Sequence, residues 1–536
     1  MEAQHQQAAD LQREKLRQLL KQKAVQVKTL PLSCAQRRLW LVNQLEEKNA
    51  SYNIPCHITL RGDIDATLLE KSFKLLLERH DILRTVFVDS EGQPRQKISA
   101  ESDLALPKID LTGLDESDRR QKIADTIVEE SATIFDLRAD RLIRAKLLHS
   151  VRADDSTDGK DEYVLIIVLH HIISDGWSMG VLARDLFALY DSQKSSLKNS
   201  QKNNSTTLPA LSWQYADYTE KQLKWLNSAD YQQQMDYWKH HLADLPELAL
   251  PADYPRPKIK GFSGDNLIGH IDAQLSRNLR ALCEQQSVSL NMLLSAVFTL
   301  LLQKYTGQAD IVFGSPIANR NNIDVENLIG FFVNMLVIRN RVEPSAPFTD
   351  FLQQSRDNLF SAYSNQDIPF EHLVDELQPQ RDSSRNPLFQ VVFAMQNESL
   401  PAVELDSLSA SRPVIPGYDV SEYGVSASVT RFDLELHCWD DESNIRCSWI
   451  YDTALFARTS IETMHRHFEQ LLRAVVASPQ QPVAALSMLP EEEQLALIGQ
   501  FADTRSPYPS DKSVCELFEQ QAETTPEATA LVFDGE

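Results

Sequence analysis

The chain has 536 residues, 42% hydrophobic and 24% charged, with a net charge of −23. That length exceeds one compact core and predicts two or three folded units. The acidity argues against a nucleic-acid partner, because phosphate backbones select basic surfaces. The most apolar stretch, Val164 to Leu169, is far too short to span a bilayer.

The first 28 residues are polar and Gln-rich, unlike a secretory leader. Within them, LQREKLRQLLKQKA (11–24) sets four leucines among five basic residues, which predicts a short amphipathic helix serving as a linker or a docking segment. Ile54, Cys56, Ile58 and Leu60 alternate as in a strand with one buried face. Leu69, Phe73, Leu76 and Leu77 follow on one side of a helix, with Asp63 or Asp65 placed to cap it. Thr85 to Val88 reads as a strand. EYVLIIVL (162–169) is continuous and apolar, as a strand covered on both faces requires. Leu182, Leu186 and Leu189 mark a helix, and the polar run QKSSLKNSQKNNSTT (193–207) reads as a flexible connection. Helical patterning covers 214–242 and strand-like residues 266–272. Two helices come next, the second starting at Ser289, then a strand from Asp310 to Gly314 and an apolar run from Phe331 to Ile338. The order of elements predicts two α/β lobes of similar size. After Pro479 a charged helix (Glu491 to Phe501) and a Pro-rich turn precede a strand-like ATALVF, and the chain is expected to be a piece of a longer protein. Six cysteines without Cys-x-x-Cys spacing speak against a zinc site or a disulfide framework, and for a reducing, cytoplasmic setting.

The chemistry concentrates at the end of the apolar strand, in His170-His171-Ile172-Ile173-Ser174-Asp175-Gly176. Histidine moves protons near neutral pH. Neighbouring strand residues point to opposite faces, so one imidazole faces a cavity and the other the core. Gly176 allows a sharp turn or close approach of a substrate. Taken alone, a His pair followed by Asp fits a structural role as well as a catalytic one. No further His or carboxylate stands at ligand spacing for a metal.

HHIISDGWSMGVL (170–182) resembles the signature shared by condensation domains of nonribosomal peptide synthetases and acyltransferases of the chloramphenicol acetyltransferase type. LPLSCAQRRLWLVNQLE (30–46) is similar to the opening motif of condensation domains, with Ser33, Ala35, Gln36, Arg38, Leu39 and Trp40 in place. RHDILRTVF (79–87), YADYTEKQ (215–222), IGFFVNMLVIR (329–339), NQDIPFEHLVDEL (365–377) and RDSSRNPLFQVVF (381–393) match the later motifs in order. Seven ordered motifs over roughly 29–480 are far more specific than any one of them.

The resemblance implies an α/β (α+β) fold of two chloramphenicol acetyltransferase-like lobes, a V-shaped pseudo-dimer around a central tunnel. It implies an N-terminal segment at 1–28, an N-lobe at 29–205, a C-lobe at 206–485, and a linker with the start of an adenylation domain at 486–536. SVCELFEQQAETTPEATALVFDGE (513–536) resembles that start, without any nucleotide-binding motif. Donor and acceptor carrier proteins would dock at opposite ends, bringing substrates on phosphopantetheine arms with no cofactor bound to the domain itself. An adjoining adenylation domain is the third expected partner, with neither nucleic acid nor membrane among them. His171 is then the residue at the reaction centre and His170 mainly structural. Asp175 is expected to pair with Arg320 as a pin for the loop, and Gly176 to border the phosphopantetheine path. Trp177, Ser178 and Asn334 support the tunnel. The AQRRLW opening and the DGWS extension resemble domains accepting an L-configured donor. A free-standing acyltransferase using CoA or one carrier, and a silent domain that only recruits carriers, are the rival readings.

Overall fold

The computed structural model describes residues 29–45, 50–151, 161–198, 208–378, 382–396, 403–405, 408–411, 413–416, 423–425, 429–441, 443–502, 509–529 and 532. The predicted helix at 11–24 lies outside them, as does ATALVF apart from Ala528, Thr529 and Val532. The chain divides into two compact units, Met1–Met488 and Leu489–Glu536.

The larger unit holds two six-stranded mixed sheets, each with its own apolar core. The first runs in space through Val403–Leu405, Leu408–Ala410, Asn53–Gly62, Asp161–His170, Ile143–Val151 and Lys108–Asp110. Its Asp161–His170 strand is antiparallel to both neighbours, and Val164 to Leu169 are buried throughout. That is why the run shows no alternation: both faces are buried, helix Glu116–Ala132 packs against the strand, and helix Ala66–Arg79 shares its core. Asp65, not Asp63, caps Ala66–Arg79, accepting from the amides of Thr67 and Leu68. Thr85–Ser90 joins Gln93–Ile98 and Thr29–Pro31 in a separate three-stranded sheet.

The second sheet runs through Asn334–Arg341, Asp310–Ile317, Val391–Gln396, Leu434–Asp441, Asn444–Asp452 and Gly264–Ile271. Helix Leu290–Thr306, capped by Ser289, buries every residue from Met292 to Leu302. Its Phe298 ring packs near Phe313, Phe393 and Trp449 at 5.6, 5.6 and 6.4 Å. This helix is apolar all round because it is core on every side. Among the described residues no single helix is long and apolar enough to cross a membrane.

Two expectations need correction. Helix Gly176–Lys198 continues through the first six residues of the polar run at 193–207, and 199–207 fall outside the described residues. The polar residues there are compatible with a helix, since Gln and Lys are good helix formers. Within the apolar run from Phe331 to Ile338 the strand starts at Asn334, and Phe331 and Phe332 do not belong to it but to the first lobe's core. Nor do the lobes split at one point in the chain. Strands Val403–Leu405 and Leu408–Ala410 cross back to extend the first sheet along Asn53–Gly62, and Tyr215 packs into the first core.

Candidate active site

Strand Asp161–His170 ends where the chain turns into a short 3-10 segment, His171–Ile173, before helix Gly176–Lys198. His170 closes the strand and is buried, and its Nδ1 accepts from the Ile172 amide at 3.1 Å. Phe135 stands edge-on to its ring at 6.2 Å. Burial pushes its pKa down to about 3, with the neighbouring His171 adding to that. A ring this enclosed and already bonded at Nδ1 holds the turn.

His171 is half-buried, facing Phe331 edge to face at 4.7 Å. Its amide donates to the Tyr52 carbonyl at 2.7 Å, which ties the turn to the start of the neighbouring strand. Its Nδ1 lies 2.8 Å from the Ser174 carbonyl. A carbonyl only accepts, so Nδ1 carries the proton and the neutral ring keeps its lone pair on Nε2. Burial holds the imidazole well below the usual histidine range, and the Arg431 charge adds to that while Asp175 opposes it. Arg431 reaches this neighbourhood from the second lobe, and nothing in the sequence pattern marked it.

Asp175 and Ser178 are fully buried, and Arg320 is nearly so. Asp175 Oδ1 accepts from the Ser178 amide at 2.9 Å and from Arg320 Nη2 at 3.1 Å, and its Oδ2 accepts from the Phe332 amide at 3.0 Å. The Ser178 hydroxyl lies 2.7 Å from Asp175 Oδ1 and 2.9 Å from the Gly330 carbonyl, and it accepts from Arg320 and the Gly330 amide. Arg320 Nη1 donates to the carbonyls of Val325 and Leu328, and its guanidinium lies over the Phe332 ring at 4.1 Å. A carboxylate so fully engaged has no lone pair facing a substrate, so it fixes the segment instead of moving protons. Trp177 donates its indole N–H to the Glu326 carbonyl at 2.9 Å. Gly176 is exposed, and a Cβ built there meets nothing within 4 Å.

Asn334 lies away from this network. Its Nδ2 donates to the carbonyls of Gln366 and Ile368, and its Oδ1 accepts from the Phe370 amide. It therefore clamps the approach to helix Phe370–Leu377.

Sequence reasoning placed Gln36 and Tyr215 within motifs without assigning what they touch. Ser33 and Gln36 form reciprocal cap contacts at 3.2 Å, a spacing visible in the sequence as Ser-x-x-Gln. Gln36 Nε2 then reaches the Ile172 carbonyl, beside the His171 turn, at 3.3 Å. Tyr215 bridges Ser33 and the Phe331 carbonyl through its hydroxyl. The opening, histidine, YADY and GFF motifs thus meet around one turn.

A model of the family described as "Condensation domain" matches residues 26–498. Bacitracin synthase 3 of Bacillus licheniformis is 37% identical over 94% of this chain, and surfactin synthase subunit 1 of Bacillus subtilis (strain 168) is 36% identical over 94%. The chain spans only 7% and 13% of those relatives' lengths. Among solved structures, the four-domain nonribosomal peptide synthetase holo-AB3403 bound to AMP and glycine superposes with a TM-score of 0.76. The match covers 94% of this chain and 37% of that one at 21% identity. The X-domain from teicoplanin biosynthesis superposes with a TM-score of 0.73 over 86% of this chain and 98% of that one, at 24% identity.

Proposed function

Since the chain belongs to the condensation-domain family of nonribosomal peptide synthetases, we propose that His171 is the centre at which it joins two carrier-borne substrates through an amide bond. The amine of the acceptor attacks the donor thioester carbonyl, the C–N bond forms, the C–S bond breaks, and the donor's thiol leaves. One proton moves from the attacking nitrogen to the departing sulfur. The observation that carries this reading is the His171 ring itself: uncharged, with Nδ1–H given to Ser174 and the Nε2 lone pair left to take that proton. An α-amine has a pKa of about 7.7–8, so a useful share is uncharged near neutrality. Positioning that amine therefore counts alongside base catalysis.

The open space at Gly176 fits a phosphopantetheine arm passing beside the backbone. The two carriers are read as donor and acceptor, the donor as L-configured, and the segment from 486 as leading into an adenylation domain. Relatives that are long synthetases favour this over a free-standing acyltransferase.

The test loads one carrier with a donor and a second with an acceptor, and follows both by mass spectrometry. The native chain transfers the donor group to the acceptor carrier, and His171→Ala slows transfer by about 10²–10⁴-fold with an unchanged melting temperature. Wild-type transfer by His171→Ala would remove His171 from the centre. No transfer by the native chain, with both carriers verified as loaded, would favour mere recruitment.

A further inference from the structure

Helix Cys34–Leu45 belongs to the first lobe, whose core takes Leu39 and Trp40. Helix Phe370–Leu377 belongs to the second, whose core takes Phe370 and Leu373. The two meet along a short seam. Cys34 and Arg38 stand four residues apart and share one face of their helix. Three consecutive residues of the other helix oppose them. Arg38 pairs with Glu371 at 3.3 Å, and its guanidinium carbon lies 5.9 Å from the centre of the Phe370 ring. Cys34 Sγ lies 3.6 Å from His372 Nε2. The other ring nitrogen of His372 lies 3.1 Å from the Tyr231 hydroxyl, and Tyr231 packs against the second core. Gln36, two residues from both Cys34 and Arg38, does not share their face. It is fully buried and donates to the Ile172 carbonyl beside His171.

We propose that His372 is a positioning residue of the reaction centre: from the second lobe it holds the first turn of helix Cys34–Leu45, and the helix carries that hold through Gln36 to the His171 turn. This deepens the reading of His171 given above and rests on it.

The start of this helix is tied at every point that could transmit a shift. The Cys34 amide, a donor with no partner inside the helix, gives its proton to Gln222 Oε1 at 3.0 Å. Ser33 and Gln36 are joined reciprocally, and the Ser33 hydroxyl lies 2.9 Å from that of Tyr215. Cys34 therefore cannot move without Ser33 and Gln36. Burial, with the Glu371 charge adding to it, pushes the Cys34 thiol up to about 12. The sulfur thus keeps its proton and donates it to His372 Nε2, which leaves Nδ1 to donate to the Tyr231 oxygen. One ring spends both nitrogens, one on each lobe. The Arg38 and Glu371 side chains are 34% and 18% exposed, and pairs open to water contribute little. The enclosed contact at Cys34 is accordingly the fixed point of the seam.

The experiment combines transfer kinetics on two loaded carriers with histidine-selective NMR of the full chain. In His372→Ala, kcat falls by about 3–10-fold, the size of one lost hydrogen bond, KM for both carriers is unchanged, and the His171 ring signals shift. His372→Gln, whose amide both accepts and donates, recovers most of the loss. Cys34→Val behaves like His372→Ala, and the double variant is no slower than either single one, because all three lose the same contact. A folded His372→Ala with native kcat and native His171 signals overturns the proposal, as does a change confined to KM. Should His372→Ala not fold, a folded Cys34→Val with native kcat and signals overturns it as well. The NMR readout needs no turnover. An inactive native chain whose His171 signals respond to His372 therefore counts against peptide transfer alone, and an active one whose signals do not respond counts against His372 alone.

Discussion

Asp175 and Arg320 stand 3.1 Å apart with almost no exposure to solvent, each bonded to several further groups. Two charges taken out of water are costly, and only full hydrogen bonding offsets that cost. Removing one leaves the other buried and alone. Asp175→Ala and Arg320→Met are therefore each expected to lose about 3–5 kcal/mol of stability, measured by urea unfolding. The double variant should lose less than the sum of the two, because each single change already breaks the shared contact. Single variants within experimental error of the native chain would show that the pair is not what holds this segment. The sequence placed Asp175 near His171 and named Arg320 as its partner only through resemblance. The distance between them in the chain hides the contact, because no local periodicity links the two positions.

At the level of elements, the site is a turn held between two lobes by backbone as much as by side chains. Gly330 and Gly176 show the difference between a glycine the fold requires and one it does not. A Cβ at Gly330 would sit 2.1 Å from the Tyr215 ring, and the backbone there is bonded to Ser178. A Cβ at Gly176 would meet nothing. Gly330→Ala is expected to destabilise by about 1–3 kcal/mol through overpacking. Gly176→Leu should keep the native melting temperature yet slow transfer by narrowing the approach to His171. Thermal unfolding and the carrier assay separate the two, and a Gly176→Leu chain with native transfer would place the arm elsewhere. The capping box of Ser33 and Gln36 was legible as a spacing. The reach of Gln36 on to Ile172 was not, because it depends on how helix Cys34–Leu45 lies against the turn.

For the whole molecule, pH acts through its enclosed histidines. His170 is pushed down to about 3 by burial, and burial lowers His80 as well, despite its bond to Asp185. In the unfolded chain both titrate near 6.5. Between that value and the folded one the unfolded chain binds more protons, so stability is fully present above pH 6.5 and falls as the solution is acidified. Between those two values the loss is about 1.4 kcal/mol per pH unit for His170, and His80 adds to it in the same direction. Urea midpoints measured from pH 7 to pH 5 should therefore decline steadily, before carboxylates begin to titrate. A flat profile over that window would mean that the folded chain protonates these rings as easily as the unfolded one.

The amino-acid sequence by itself determined the candidate segment and most of the elements around it. Continuous apolar residues, a histidine pair and a glycine are local patterns, and a buried strand running into a polar turn follows from them. Seven motifs in order were enough to indicate the family. Only the tertiary structure decided which distant groups meet: the bonds around the Asp175 and Arg320 pair, the Asn334 clamp, the strands Val403–Leu405 and Leu408–Ala410 crossing back to the first sheet, and Arg431 beside Tyr52. Those contacts join residues far apart in the chain, and neither propensity nor periodicity extends over such distances. They are fixed by how two separate cores pack against each other.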